Sequence, residues 1–480
     1  MSKLKNIIKQ LSDKDYQAIF TSLMDSNAEK SASLLKFLKE KQLSDNKIMT
    51  ELDVNPNAYY TLRSRLNEKI EEYLVKEMES PKTDILKKVA NINEIVYTKK
   101  RTIVIATLKK LEKELIDYDL SNELIIVYKN LKKLHINTAE HYFYSQLYNK
   151  HVAYTLAMDK AEDILADYFK KYGSYFLGAE DIIKTELSLL HKELGNISRL
   201  YQSHRLFVYH SCLSIFHRIH VEPEYKLTEF DDTLEVAFEK IDKIFETYVS
   251  DAHYHHLRIV FDFLKLEFYN STKQPRKEEK HYSDVNDFVG LFLSNYGLFT
   301  FPSLFLIAKL QRHMKQIELT DAIEENKVIF ADFECDAIDV PKYITYHCYR
   351  ALCFYYAEKY DQAAKIINNI LNEVSLKKYP EVLVEIKAFL ALQYCLLNDD
   401  DLFNQLMNSV QRQIRMIGKK QLDHIVLLTK AMKVSLSGSG RAKEGKIKAL
   451  LSKASVDKMK SFSPLKYIAL DQRLIDKLGM

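Results

Sequence analysis

The residues best suited to chemistry are histidines, which cluster in two segments of the chain. The segment 203–220, SHRLFVYHSCLSIFHRIH, carries His204, His210, Cys212, His217 and His220. A zinc site needs three or four converging ligands at a recognisable spacing, and this segment matches none. The second segment, DAHYHHLR at 251–258, adds three histidines without an HExxH arrangement. The pattern favours ordinary helix histidines, so we expect no metal.

A glycine-containing segment comes close to a nucleotide-binding loop. GRAKEGKI at 440–447 matches GxxxxGK, in which backbone N–H groups hold phosphates and the lysine, here Lys446, meets the terminal phosphates. The motif also requires a Ser or Thr for Mg²⁺, and Ile447 occupies that position. A buried strand before the loop is missing as well. We therefore interpret the segment as a flexible loop between helices and expect no cofactor.

Carboxylates are abundant, and the densest run is LNDDDLF at 397–403, with Asp399, Asp400 and Asp401. This run falls where a helical hairpin should turn, so an aspartate there is expected to cap a helix rather than transfer protons. The sequence contains no GxSxG, HExxH, GxGxxG or DFG motif. We expect no catalytic residues and a non-enzymatic protein. An enzyme whose catalytic groups are distant in sequence is the third class of function considered.

The segment 51–70, ELDVNPNAYYTLRSRLNEKI, is typical of a helix-turn-helix, with a turn at Val54–Asn57 before a long amphipathic helix. In DNA-binding domains of this kind the second helix enters the major groove. Side chains on the first two turns of that helix are the candidates for nucleic-acid contact. They are Tyr60, Thr61, Arg63, Ser64 and Arg65.

The charge of this region argues against DNA, because phosphate contacts supply much of the affinity of such domains. Residues 1–80 contain 13 Lys/Arg and 13 Asp/Glu, and Glu68, Glu71 and Glu72 follow on the same helix. A modest basic stripe at 82–110 would compensate in part. The whole chain has a net charge of +4, so no global field favours a nucleic acid or a membrane. DNA contact is therefore kept as the alternative to a packing role.

The elements that must position all these residues are predicted to be helices. Only 10 Gly and 8 Pro occur in 480 residues, so turns that need a positive or fixed φ must be few. Lys, Glu, Leu, Ile and Ala dominate and favour helix. The polar run NSTKQPRKEEKHYS at 270–283 is predicted as a linker. The first helices are predicted at roughly 4–10, 13–24, 27–41, 45–52 and 57–78.

Composition predicts a soluble cytoplasmic protein. Hydrophobic residues make up 47% of the chain and charged residues 28%. Five irregularly spaced cysteines without a CxxC indicate reduced thiols. The most apolar run, 297–310, is short and broken by Pro302, and the amino terminus lacks the apolar stretch of a signal peptide. We expect no membrane association.

One pair of predicted helices suggests a repeat. In YRALCFYYAEKYDQAAKIINNIL at 349–371, small and aromatic residues stand at the spacing of a tetratricopeptide hairpin, and two of them recur forty residues later. These repeat-packing residues are Ala351, Phe354, Tyr360, Ala363, Ala391 and Tyr394. A weaker echo lies at 154–169. The chain thus resembles, in part, the tetratricopeptide-like superfamily, although the family's Trp and consensus Gly are absent. The resemblance implies a concave face that holds a peptide or protein.

These observations predict an all-α fold. A helical domain at 1–80 would precede an irregular tetratricopeptide-like α-hairpin array, an α-solenoid, in two parts at 81–275 and 276–480. A compact helical bundle without a groove is the structural alternative. The expected function is a non-enzymatic scaffold or regulatory adaptor that binds a protein or peptide. The alternative is a transcriptional regulator, because the domain order resembles bacterial regulators that join a helix-turn-helix to tetratricopeptide repeats. The sequence indicates neither the partner nor the oligomeric state.

Overall fold

The computed structural model is all-α, as predicted, and its described residues contain no strand. Within them, no helix is both long enough and apolar enough to cross a membrane. The described residues are 4, 8, 11, 13–26, 28–41, 45–77, 81–178, 181–201, 203–225, 232–248, 251–316, 323, 325–327, 333, 335–418, 422–437, 441–454 and 462–479.

Contacts divide the chain into two compact units, Met1–Val152 and Ala153–Met480. The domain boundaries predicted at 80 and 275 stay a prediction. The predicted helices at 13–24, 27–41, 45–52 and 57–78 agree with the structure to within two residues, whereas the helix at 4–10 lies mostly outside the described residues. The helices of the first unit are α1 (Asp13–Asp25), α2 (Glu29–Lys36, continued by a π-helical turn Phe37–Lys41), α3 (Asp45–Glu51), α4 (Pro56–Glu77), α5 (Pro81–Ala90), α6 (Ile92–Thr98), α7 (Arg101–Asp117), α8 (Ser121–Leu134) and the start of α9 (Glu140–Phe176).

The second unit has one hydrophobic core that extends from Tyr154 to Leu478 and is rich in aromatic side chains. Its helices after α9 are α10 (Asp181–Tyr201), α11 (His204–His220), α12 (Leu234–Thr247), α13 (Ala252–Ser271), α14 (Pro275–Asn286), α15 (Val289–Asn295), α16 (Leu304–Gln316), α17 (Val340–Tyr356), α18 (Tyr360–Glu373), α19 (Pro380–Leu396), α20 (Asp400–Ile417), α21 (Asp423–Ser437), α22 (Arg441–Leu451) and α23 (Gln472–Gly479).

The linker predicted at 270–283 is wrong, because most of it is helical. Helix α13 ends at Ser271 and α14 begins at Pro275. Proline fits the first turn of a helix, where its missing N–H leaves no hydrogen bond unmade. Tyr282 and Val285 of α14 are buried in the same core as α13. The polar composition of the run reflects the solvent-facing side of an amphipathic helix.

Three successive helical hairpins, α17–α18, α19–α20 and α21–α22, share a spacing of forty residues in their first helices. Ala351, Ala391 and Ala431 stand at equivalent positions, and each is fully buried. The neighbouring core positions repeat in the same way, as in Leu352, Leu392 and Met432. A small residue at this point lets the two helices of a hairpin approach closely. The spacing exceeds the ~34 residues of tetratricopeptide repeats. Membership of the tetratricopeptide-like superfamily and a solenoid arrangement both stay predictions.

Four hairpins of the chain turn in the same way. At each, one residue adopts a positive φ. The N–H of the residue after it donates to the carbonyl of the residue five positions before the donor, at 2.9–3.0 Å. The second helix begins at the residue that follows the donor. This is the Schellman arrangement, which satisfies carbonyls that a helix end would otherwise leave unpaired. Glycine usually occupies the positive-φ position. Here the position is occupied by Asp119 (φ 51°), Lys273 (55°), Glu358 (60°) and Asn398 (56°).

Replacing Lys273 with glycine should stabilise the second unit. A non-glycine residue in the left-handed region costs roughly 1–2 kcal/mol, and glycine's extra unfolded-state entropy returns roughly 0.5–1 kcal/mol of that gain. We expect Lys273→Gly to raise the free energy of unfolding by up to about 1 kcal/mol, measured as an increase in the urea midpoint. Lys273→Ala is the matched control and should leave the midpoint nearly unchanged. An equal shift in both variants would contradict this explanation.

Candidate functional site

A cavity of about 640 Å³ lies between α10, α11 and α12 in the second unit. Small residues make room for it: Gly195 on α10 faces α11, and a Cβ there would stand 3.1 Å from Nε2 of His210. Serines line the same walls, including Ser198 on α10 and Ser211 and Ser214 on α11. Small side chains of both helices thus line the cavity.

Positive charge predominates among the described residues that line the cavity. Lys192 and Arg199 lie seven residues apart on α10 and are exposed, and Arg218 lies on α11. Arg199 donates to the neutral side chain of Asn196 at 2.6 Å, and Arg218 donates to the main-chain carbonyl of Asp232 at 2.8 Å. The Asp232 carboxylate accepts from Lys240 at 2.6 and 2.8 Å. Asp232, the acidic residue among the described lining residues, is therefore paired with Lys240, which does not itself line the cavity.

A stack of histidines forms part of the cavity wall and continues into the core. The His191 ring stacks on that of His210 with centroids 5.7 Å apart and on that of His217 at 4.6 Å. His217 is fully buried, with Nδ1 2.9 Å from the Tyr168 hydroxyl and Nε2 3.6 Å from Glu222. Burial lowers the pKa of His217 to about 4. At neutral pH this imidazole is uncharged and serves packing and hydrogen bonding.

The remaining histidines of the sequence cluster have separate partners. His204 stacks on Tyr248 with centroids 4.2 Å apart, and His220 faces Glu267. Cys212 is fully buried, which raises the pKa of its thiol, so it is not disposed to bind a metal as thiolate. His255 and His256 are exposed. The cluster therefore brings no set of zinc ligands together in the described part of the chain.

A group of three potential metal ligands occurs elsewhere, on α13 and α14. Ligand atoms of Asp262, His281 and Asp284 lie within 4.8 Å of one another. Nδ1 of His281 is 3.0 Å from the Asp262 carboxylate, and its ring stacks on Tyr269. These contacts fix the histidine without a metal, and exposed carboxylates such as Asp284 commonly gather at a surface.

The predicted nucleic-acid contacts lie on one helix, α4, of the first unit. Tyr60, Thr61, Ser64 and Arg65 are exposed. Arg63 is half-buried, and its guanidinium lies 5.7 Å from the centroid of the buried Tyr59 ring. Four of the five candidates are therefore accessible to a partner, whereas Arg63 packs against its own helix.

The near-match to a phosphate loop is not a loop. Residues 441–451 form α22, Lys446 is exposed, and Ile447 is fully buried in the core. The interpretation as a flexible loop is wrong, because Ile447 and Leu451 give the segment a helical apolar face. The acidic run behaves as predicted: the Asp399 side chain accepts from the N–H of Leu402 at 3.1 Å and caps α20.

The predicted repeat-packing residues all lie in the core of the second unit. Ala351, Ala363 and Ala391 are fully buried. Phe354, Tyr360 and Tyr394 are half-buried against the same core. Sequence reasoning missed Ala431 as the third alanine, although its spacing from Ala391 was available as a signal. The cavity cations were also missed, because Lys192, Arg199 and Arg218 stand in no motif.

A segment from the carboxyl-terminal part of the chain lies on the first helices of the hairpins. The Tyr356 hydroxyl of α17 donates to the carbonyl of Tyr467 at 2.6 Å and accepts from the N–H of Ala469 at 3.0 Å. On α21, Ser435 donates to the carbonyl of Leu478 at 2.7 Å. We call residues 462–479 the covering segment. Side chains of two first helices, α17 and α21, thus hydrogen-bond to main-chain atoms of the covering segment.

No protein-family model, curated protein or solved structure matches this chain. The function must therefore be argued from the geometry above.

Glu267 and His220 form a mostly buried titratable pair, with Oε2 and Nε2 3.5 Å apart. Burial raises the pKa of Glu267 to about 8 and lowers that of His220 to about 4. In the unfolded chain both side chains have their ordinary pKa values, about 4.3 for glutamate and about 6.5 for histidine. Between about pH 6.5 and 8 the folded pair thus retains a proton that the unfolded chain has released.

Stability of the second unit should accordingly fall as the pH rises from about 6.5 to 8, because the folded state binds more protons in that window. Below about pH 6.5 the lowered pKa of His220 opposes this trend. Glu267→Gln removes the buried carboxyl, so we expect its urea midpoint to change less between these two pH values than that of the wild type. Glu239→Gln, at an exposed site, is the control. Identical pH slopes for Glu267→Gln and the wild type would refute the assignment.

Proposed function

We propose that the protein is a non-enzymatic interaction scaffold of the cytoplasm, in which the hairpins α17–α22 bind an extended segment of a partner protein. The resemblance of 349–371 to tetratricopeptide hairpins supports this proposal, and so does the forty-residue spacing of Ala351, Ala391 and Ala431. Regularly spaced hairpins present equivalent side chains along one face, which suits the recognition of an extended peptide.

The observation that carries the proposal is the way the first helices hold the covering segment. Tyr356 engages both a carbonyl and an N–H of that segment, and Ser435 engages another carbonyl. Main-chain contacts of this kind do not depend on the identity of the bound side chains. Apolar side chains of the segment, such as Leu465 and Ile468, are buried. The same face is chemically suited to a partner segment that carries apolar residues and competes with the covering segment.

Crosslinking from one position beside the covering segment and from one exposed position on α20 tests the proposal in the full chain. A photo-crosslinkable residue replaces Leu396, which lines a small cavity with Ala469 of the covering segment, or replaces the exposed Gln405 on α20 as control. We expect a discrete intermolecular product from position 396 in cells that make the protein, and none from position 405.

The same experiment with Tyr356→Phe sharpens the test. The variant removes two hydrogen bonds to the covering segment and leaves the ring in place, so the face should open more readily and the yield of product from position 396 should rise. Equal products from positions 396 and 405, or no product from position 396 in either background, would overturn the scaffold proposal.

A transcriptional regulator is the second candidate function, and the exposed start of α4 favours it. Helix α3, the turn at Leu52–Asn55 and α4 follow one another as in a helix-turn-helix. Arg65 is exposed on the third turn of α4, beside Thr61 and Ser64. An arginine there is suited to a phosphate, and the hydroxyls are suited to phosphates or base edges.

Duplex binding by an Arg65→Ala variant decides this second candidate. Loss of a phosphate contact should weaken binding several-fold for every DNA sequence tested. It should also reduce the slope of log affinity against log salt concentration by about 1. Lys69→Ala is the matched control, since Lys69 is paired with Glu72 at 2.7 Å on the same helix. Arg63→Ala should also weaken binding, but its packing on Tyr59 makes it the less specific probe. A full chain that binds no duplex DNA at low salt excludes the regulator.

A further inference from the structure

We propose that the cavity between α10, α11 and α12 binds a small organic molecule that carries a phosphate group. Its volume of about 640 Å³ falls within the roughly 300–1,000 Å³ of small-molecule sites in proteins. This site goes beyond the scaffold function, because it lies at 181–247 and uses none of the residues of hairpins α17–α22.

Two cations of the cavity wall, Lys192 and Arg199, point to an anion as the ligand. Lys192 and Arg199 extend from one face of α10, and neither has a carboxylate partner in the described part of the chain. Arg218 approaches from α11 and donates to a main-chain carbonyl. Asp232, the acidic lining residue, is held by Lys240. A cavity lined in this way has a positive potential that an anion would neutralise.

The kinds of polar group favour phosphate over a carboxylate. Arginine presents a planar fork of donors that matches phosphate oxygens, and lysine adds a compact charge. Hydroxyls of Ser198, Ser211 and Ser214 stand on the same walls and can donate to further oxygens. A tetrahedral group with several acceptor oxygens can accept from more donors on the two helices than a planar carboxylate can.

The rest of the cavity requires more than an inorganic ion. Phe207 and Ile215 on α11, with Ala237 and Ile244 on α12, supply an apolar wall, and the Tyr225 ring adds an aromatic surface. Inorganic phosphate would contact the cations and leave this wall in water. An organic phosphate, such as a nucleotide or a sugar phosphate, would cover it and displace water from apolar surface.

Calorimetric titration of the full chain tests the site with four probes: AMP, ribose 5-phosphate, adenosine and citrate. We expect saturable binding of one molecule of AMP or ribose 5-phosphate per chain, weakened by added salt, and no binding of adenosine or citrate. AMP binding alone identifies a nucleotide site. Equal binding of ribose 5-phosphate identifies a sugar-phosphate site.

Charge-removing variants locate the binding. Lys192→Ala and Arg199→Ala alter exposed side chains, so each variant should keep the helical circular dichroism of the wild type. Each should lower the affinity for the phosphorylated probe about tenfold or more, as expected for a lost charge-assisted hydrogen bond. Lys170→Ala removes an exposed cation of α9 outside the cavity and should bind as the wild type does.

Three results would overturn the inference: no binding of either phosphorylated probe, binding of citrate or adenosine as tight as that of AMP, or unchanged affinity in both cavity variants. Because the crosslinking test of the scaffold uses positions 396 and 405, either proposal can fail while the other stands.

Discussion

Each of four helical hairpins in this protein depends on one residue held at positive φ between its two helices. That residue lets the next N–H turn back to a carbonyl of the preceding helix and sets the direction of the helix that follows. The turn after α17 and the turn after α19 share this arrangement, and the buried alanines of these two helices, Ala351 and Ala391, stand forty residues apart. The alanines of the first helices are fully buried.

Two fully buried charged side chains of the second unit have hydrogen-bonding partners, whereas two exposed cations of the cavity have no acidic partner among the described residues. Lys309 is fully buried and pairs with Glu325 at 2.9 Å and with the Asn286 amide oxygen at 2.8 Å. Glu385 is fully buried and accepts hydrogen bonds from both His424 and Ser463. Such partners offset the cost of removing a charge from water. Lys192 and Arg199 instead remain in contact with solvent and have no acidic partner among the described residues.

Much of the fold could be predicted from sequence, because it depends on local patterns. The helices between residues 13 and 77 follow from apolar spacing and from the scarcity of Gly and Pro. The helical state of 275–283 and of 441–447 was missed, because a polar or glycine-containing run does not reveal that one face, with Val285 or Ile447, is buried by distant helices. The cavity could not be predicted, since Lys192 and Arg199 of α10 and Arg218 of α11 line one cavity only when the two helices pack together.

We expect the second unit to fold in two steps, because the covering segment docks through contacts that are distant in sequence. The hairpins are built from contacts close in sequence, and such contacts form early. The contact between Tyr356 and Tyr467 spans 111 residues, and that between Glu385 and Ser463 spans 78. Closing these long loops costs more conformational entropy than closing a hairpin, so we expect the covering segment to dock after the hairpins have formed and their first helices to be bare until then. In that interval the apolar face is open to chaperones and to aggregation.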